Sequence, residues 1–307
     1  MPFKGELIAI ATVMCWTVSV QFFEAASRKV GATPVNIIRL TTALILFSLL
    51  MVIRQGMILP FHYPAHAWFY LGLSGVVGFF LGDIFLFKAL VELGPRVATL
   101  IFSMSAPTAA LIEWLVLGQS YSLLQWSGIW VTLSGVCIVI LERQSGKAGR
   151  QTGLTVRKIS LKGVLFGFGA MTGQAVGYLL SKPGMETADG FLDPFGATQI
   201  RAFTACICFF IYFTAARKWA DVGQALKHTR AFTFTVIGSA VGPFLGVSLS
   251  LWVLHYLSVG VASTFLSLVP IFIIPFAVLL HKEYVSIRAA GGAVIAVFGI
   301  YLLMNGG

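Results

Sequence analysis

The chain has 307 residues, of which 58% are hydrophobic and 10% charged, with a net charge of +10. So few charges, against roughly 25% in soluble domains, exclude an ordinary water-soluble fold. The positive balance would suggest nucleic acid for a soluble protein, but the basic residues crowd into short connections between apolar runs, so no nucleic-acid partner is expected and the partner is the lipid bilayer.

A bilayer core about 30 Å thick needs about 20 apolar residues per helix, and ten such stretches can be traced. In chain order they run Leu7 to Phe23, Val35 to Ile53, Ala67 to Phe87, Val97 to Leu117 and Leu123 to Leu141. After a polar connection they resume at Leu161 to Leu180, Phe195 to Ala215, Ala231 to Leu254, Val259 to Leu280 and Ala289 to Met304. The expected fold is an all-α integral membrane protein. The first stretch has a poorly charged start at Lys4, Gly5 and Glu6 and no small-residue cleavage site after it, so it reads as a retained helix and not a signal peptide.

The two halves repeat each other. Ile38, Arg39, Thr42 and Ala43 recur as Ile200, Arg201, Thr204 and Ala205, and Gly78-Phe79-Phe80-Leu81-Gly82 returns as Gly242-Pro243-Phe244-Leu245-Gly246. Pro107 is echoed by Pro270. Five spans per copy, an odd number, would send the second copy into the membrane in the opposite sense. Inverted repeats of this kind build secondary transporters with a solute site near the midplane. The expected organisation is a first repeat over 1–142, a cytoplasmic linker over 143–160 and a second repeat over 161–307.

Most of the 21 Lys and Arg residues fall in the odd-numbered connections, among them Arg28, Lys29, Lys88, Arg96, Arg217, Lys218, Lys227 and Arg230. The positive-inside bias places those connections in the cytoplasm and both termini outside.

Small residues mark expected helix contacts. Gly75, Gly78 and Gly82 share one face of span three, and Ala106, Ala109, Ala110 and Glu113 one face of span four. Gly128 and Gly135, echoed by Gly292 and Gly299, suggest that spans five and ten pack on equivalent partners. Pro107, Pro270 and Pro275 lie inside spans, where proline removes a hydrogen bond and kinks the helix; the first two could serve as gates or simply shape the bundle.

No zinc pair, nucleophile elbow or phosphate-cradling loop is present, and the four cysteines all lie within spans. No cofactor, no metal and no catalytic residue is expected, and a membrane-embedded lipid-processing enzyme is the weaker alternative. What remains is a sparse polar and aromatic set at helix depth. Asp83 near the end of span three and Glu113 near the end of span four are candidates for coupling, Asp83 also for meeting a solute amine; the competing reading makes both structural partners. Arg39 and Arg201 are repeated arginines for which snorkelling towards a membrane face is the first reading and gating the second. Trp16, Gln174, Tyr178 and Trp252 offer an aromatic wall with hydrogen-bonding tips, suited to an amphipathic organic solute.

Taken together, these residues resemble the EamA-type members of the drug/metabolite transporter superfamily. The likeness covers both halves and rests on Trp16 with Ser19, the Ile-Arg and Thr-Ala pairs of spans two and seven, Val97-Ala98-Thr99-Leu100 leading to Pro107, and Val261-Ala262-Ser263-Thr264 leading to Pro270. The family's Gly-Glu after the proline run appears as Gly118-Gln119 in the first half and Lys282-Glu283 in the second, so the acid is kept once. The membrane-centred glutamate that the smaller multidrug relatives use for proton coupling has no counterpart before Glu24 in span one.

The resemblance implies ten helices in two inverted repeats around a central cavity, a small-molecule substrate and export by alternating access across the inner membrane. Superfamily members carry amino acids, phosphorylated sugars, nucleotide sugars, purines and drugs. A phosphorylated solute would want cations deep in the cavity, and both span arginines lie towards helix ends, so an amino acid, aromatic ones included, is the expectation. A monomer is expected. Several relatives keep their termini in the cytoplasm, against the direction that the charges give here.

Overall fold

The computed structural model describes residues 3–148, 160–281 and 286–306. Residues 149–159 of the expected linker lie outside these residues, as does Glu283, while its first six residues, 143–148, are helical and continue the span before it.

The described chain is nearly all helix. In order it forms α1 (Lys4–Val30), α2 (Ala32–Gln55), α3 (Ala65–Ser74), a π-helical segment π1 (Gly75–Leu81), α4 (Gly82–Ser103), α5 (Ser105–Leu117) and α6 (Leu123–Ala148). The second half gives α7 (Leu161–Met185), a two-residue hairpin of β1 (Glu186–Thr187) and β2 (Gly190–Phe191), and α8 (Pro194–Ala215). It continues with α9 (Trp219–Lys227), α10 (Thr229–Ser239), π2 (Ala240–Gly246), α11 (Val247–Val253), α12 (Val259–Leu266), α13 (Val269–His281) and α14 (Ile287–Asn305). Among the described residues eight helical stretches are long and apolar enough to cross a bilayer, and Val259–Pro275 is a shorter apolar one.

Two boundaries differ from the hydropathy reading. The backbone stays helical from α3 through π1 and α4, across the 88–96 stretch read as the connection between spans three and four. The interruption comes later, at Met104, and its counterpart in the second half is at Ser267 and Leu268. Both breaks sit just before a proline, Pro107 or Pro270, whose ring has no N–H to give and clashes with the carbonyl one turn back. At each break a serine turns inward instead: Ser103 Oγ donates to the Leu100 carbonyl at 2.8 Å and Ser267 Oγ to the Thr264 carbonyl at 2.7 Å.

The glycine-rich echo becomes a structural one. Gly78 to Gly82 and Gly242 to Gly246 fall at the two π-segments, where one residue more per turn loosens the helix. In π2 the cause is Pro243, which removes a donor. In π1 a neighbour intervenes: the Thr204 hydroxyl of α8 lies 3.1 Å from the Gly72 carbonyl, just before the segment begins.

The chain forms two compact units, each drawn from both repeats. The first takes the chain up to Leu81 together with Val176–Leu257; the second takes Gly82–Ala175 and the chain from Ser258 on. The expected repeats are therefore interleaved in the packing.

In the first unit α2 and α8 run antiparallel. Arg54 near the end of α2 lies 3.9 Å from Asp193 at the start of α8, Gln199 Nε2 donates to Ser48 Oγ at 3.1 Å, and Ala43 and Phe47 pack on Ala202. The same unit lays α1 along α10, π2 and α11, where a Cβ at Gly238, Gly242 or Gly246 would run into Phe23, Ser19 or Trp16. Small residues are required there because lipid supplies no hydrophobic drive, and close backbone approach must supply the contact.

The second unit is organised around α6 and α14. Gly128 faces Gly299 and Leu303, and Gly135 faces Gly292 and Ala296, so rising numbers on α6 meet falling numbers on α14. The glycines of spans five and ten thus pack on one another, each helix being the other's equivalent partner. The Ala106, Ala109, Ala110 and Glu113 face of α5 is buried as expected, with Ala110 against Gly260 of α12.

Candidate functional site

In the first unit, α8 is started by Asp193, whose carboxylate accepts from the Gly196 N–H at 3.0 Å, and by Pro194 at its first position, where a missing N–H costs nothing. Two turns further in, about 10 Å along the axis, α8 carries Arg201. The side chain is 2% exposed. It does not snorkel: its guanidinium carbon lies 4.3 Å from the ring centroid of Phe79 in π1 and 5.7 Å from that of Tyr178 in α7.

Backbone closeness makes this burial possible. Gly177 of α7 meets Gly78 of π1 so tightly that a Cβ on Gly177 would lie 3.0 Å from the Gly78 Cα, and it would also lie 3.7 Å from Arg201 Nη2. A Cβ on Gly75 would lie 2.3 Å from the Arg201 carbonyl oxygen. Gly75 therefore faces α8 while Gly78 faces α7, because the π-segment turns glycines that would share a regular helical face towards different neighbours. Behind them Ser74 Oγ and Ser181 Oγ both reach the Gly177 carbonyl, at 2.6 and 2.7 Å.

The electrostatics of Arg201 are unusual. Among the described residues its Nε and Nη1 find no hydrogen-bond partner. A buried cation without a carboxylate costs several kcal/mol, against which each desolvated aromatic face returns about 2 kcal/mol. Such an imbalance is what a binding group for an anion carries before its ligand arrives.

The other candidates distribute as follows. Tyr178 is buried beneath Arg201. Trp16 is half-buried with its indole against Gly246 of α11's entry, and Trp252 in α11 is 38% exposed. Arg39 in α2 is half-buried with its guanidinium carbon 5.6 Å from the Phe23 centroid. In the second unit Asp83 opens α4 and Gln174 lies in α7, both half-buried, while Pro107 is buried in α5 and Pro270 half-buried in α13. The structure thus brings Arg201 and Tyr178 together and adds Phe79, Thr204 and the Ser74–Ser181 pair. Phe79 was visible in the sequence only as part of the repeated Gly-flanked pentapeptide.

Glu113 is fully buried and occupied. Its carboxylate accepts from the Tyr121 hydroxyl and from the Gly260 N–H at 3.0 Å, so it holds the start of α12, where helix N–H groups lack partners. Burial, and then the neighbouring carboxylate, push the Tyr121 phenol well above its ordinary value, which keeps it a proton donor. Glu113→Ala removes the acceptor of the Tyr121 hydroxyl and leaves the Gly260 N–H only its longer bond to the Tyr121 hydroxyl oxygen at 3.2 Å, and an unmet buried donor is worth about 1–3 kcal/mol. The expected outcome is a clear fall in melting temperature with an unchanged pH profile of transport; a shifted pH profile at unchanged stability would return Glu113 to a coupling role.

Among the described residues no cluster of three or more His, Cys, Asp or Glu is placed to hold a metal ion, and the cysteines are free thiols.

A twice-repeated run of apolar helices with glycine-lined contacts, prolines at matched breaks and one buried cation among aromatics defines a multi-pass membrane protein of the solute-carrier kind. The sequence model of the EamA-like transporter family matches residues 3–141 and 161–305, so the chain belongs to that family. One solved structure, described only as a crystal structure of a protein, is similar to it with a TM-score of 0.69 at 15% identity, over 99% of this chain and 98% of its own. At that identity the likeness shows the fold alone. No curated protein sequence matches.

Proposed function

We propose that the chain is a secondary carrier that moves an amino acid, with an aromatic side chain preferred, out across the inner membrane by alternating access. The observation that carries the solute class is Arg201, a buried guanidinium with two nitrogens lacking hydrogen-bond partners among the described residues, between the rings of Phe79 and Tyr178. A guanidinium offers a planar fork that matches a carboxylate, and the adjacent rings suit an apolar or aromatic body. One cation fits a monoanionic carboxylate better than a phosphate dianion, which draws several. The antiparallel packing of α2 on α8, and of α6 on α14, supports the inverted-repeat reading, since each pair joins corresponding spans of the two halves.

Counterflow in proteoliposomes tests the solute. Radiolabelled phenylalanine should exchange, phenethylamine, which lacks the carboxylate, should not compete, and a hexose phosphate should compete weakly. Competition by the amine equal to that by the amino acid would remove Arg201's carboxylate from the reading.

The orientation follows the charge bias, with both termini extracytoplasmic. Asn305→Cys in an active variant should react with an impermeant maleimide in intact cells above the background of the four native thiols. Labelling only after permeabilisation overturns that orientation.

A further inference from the structure

The first unit carries a second, quite different feature: a groove of about 650 Å³ along its outer surface. It runs between α2 and α8 and is closed at one end by α9 and the start of α10. Ile38 and Ile45 of α2 and Phe203 and Phe210 of α8 form its walls, with Trp219 and Leu226 of α9 at the end. From Ile37 to Ile45 the α2 wall spans about 12 Å at the ordinary helical rise. Ile45 and Phe210 are exposed although both helices are membrane spans, so this wall faces the hydrocarbon.

The closed end has the opposite character. Helix α9 is short and amphipathic, with Val222 and Ala225 buried and its other face exposed. Trp219 is anchored there, its indole N–H donating to Thr214 Oγ1 at 3.1 Å and its ring 5.0 Å from that of Phe210. Tryptophan with an apolar body and a polar tip is at home at the headgroup level. Exposed cations flank this helix in the chain: Arg217 and Lys218 directly precede α9, Lys227 ends it, and Arg230, its guanidinium carbon 5.5 Å from the Phe234 ring centroid, opens α10. Asp221 is the one acidic residue of α9. An apolar slot in hydrocarbon that ends at an interfacial helix among four cations has the chemistry of a whole lipid, tail and headgroup together.

We propose that this groove is a binding site for one phospholipid with an anionic headgroup, an acyl chain lying between α2 and α8 and the phosphate meeting Arg217, Lys218, Lys227 and Arg230. Charge complementarity selects the anionic headgroup, and the groove's length and apolar walls select a chain. The site sits on the outer face of α2 and α8 and is independent of which solute Arg201 receives.

The test uses the full-length protein reconstituted in nanodiscs. A photoreactive phosphatidylglycerol with a diazirine in its acyl chain should crosslink to residues 203–211 and 219–226, and unlabelled phosphatidylglycerol should compete at least tenfold better than phosphatidylcholine of the same chains. Replacing Arg217, Lys218, Lys227 and Arg230 together by Gln should erase that preference while leaving tail crosslinks in place. Ile207→Trp, which fills the groove, should abolish crosslinking there, with the melting temperature checked in parallel. Equal competition by the two lipids in the unaltered protein, or crosslinks spread evenly over other membrane-facing helices, overturns the proposal. So does loss of the crosslink on concentration with appearance of a dimer, which would assign the groove to a second copy of the chain.

Discussion

Arg201→Met should cost at least about a hundredfold in transport efficiency and raise the melting temperature by several degrees. The first effect follows from two charge-assisted hydrogen bonds to the solute carboxylate, each worth about 1.5–3 kcal/mol, where every 1.4 kcal/mol is about tenfold. The second follows from the free protein, in which Nε and Nη1 find no hydrogen-bond partner among the described residues, although the group is buried. Methionine keeps the length and removes the charge, so the desolvation cost disappears while only the aromatic contacts are lost. Stability and function then move in opposite directions, as they do where a site is held in readiness. Arg201→Lys should keep part of the activity, since the charge stays and the fork is lost. Reduced transport with a lowered melting temperature would make Arg201 a structural residue, and unchanged transport would remove it from the solute path.

The second large effect is expected at the α6–α14 contact. A Cβ on Gly135 would lie 2.4 Å from the Ala296 nitrogen and the Gly292 carbonyl oxygen, and one on Gly299 would lie 2.3 Å from the Thr132 nitrogen. These are backbone atoms, which cannot swing aside. Gly135→Ala and Gly299→Ala should therefore each destabilise by about 1–3 kcal/mol or more through overpacking. Gly291 on the same helix has nothing within 4 Å of its would-be Cβ, so Gly291→Ala should be neutral or slightly stabilising, because alanine favours the helix. Equal melting temperatures for Gly135→Ala and Gly291→Ala would refute the packing account.

Glycine and alanine spacing announced close helix contacts, yet it could not say which helix met which. Gly128 and Gly135 belong to one interface with Gly292 and Gly299 because α14 returns antiparallel beside α6, and nothing local to either stretch encodes that pairing. The 88–96 stretch shows the reverse failure. Its Lys, Glu, Gly, Pro and Arg look like a connection, but the helix runs through it, and the break moves to Met104, where Pro107 withholds a donor.

The site was half legible. Repetition singled out Arg201 and the Gly-Phe-Phe-Leu-Gly pentapeptide, and helical spacing singled out Tyr178. Proximity to a helix end suggested snorkelling, which would be the cheaper outcome for an arginine whose side chain could reach water. Instead the glycine contact of Gly177 on Gly78 closes α7 against π1 and folds Phe79 and Tyr178 around the guanidinium. For Glu113 the deciding partner, the Gly260 N–H, is 147 residues away.

Composition and hydropathy by themselves determined that the chain lives in a membrane, that it is built twice over from apolar helices, and that its family is recognisable, because burying apolar segments in lipid is a property of each segment alone. Which helices touch, where the π-segments turn their glycines, and whether a buried charge is satisfied are properties of pairs of segments far apart in the chain. Only the tertiary structure decided those, since the energy of a charge or a close contact depends on what the fold places beside it.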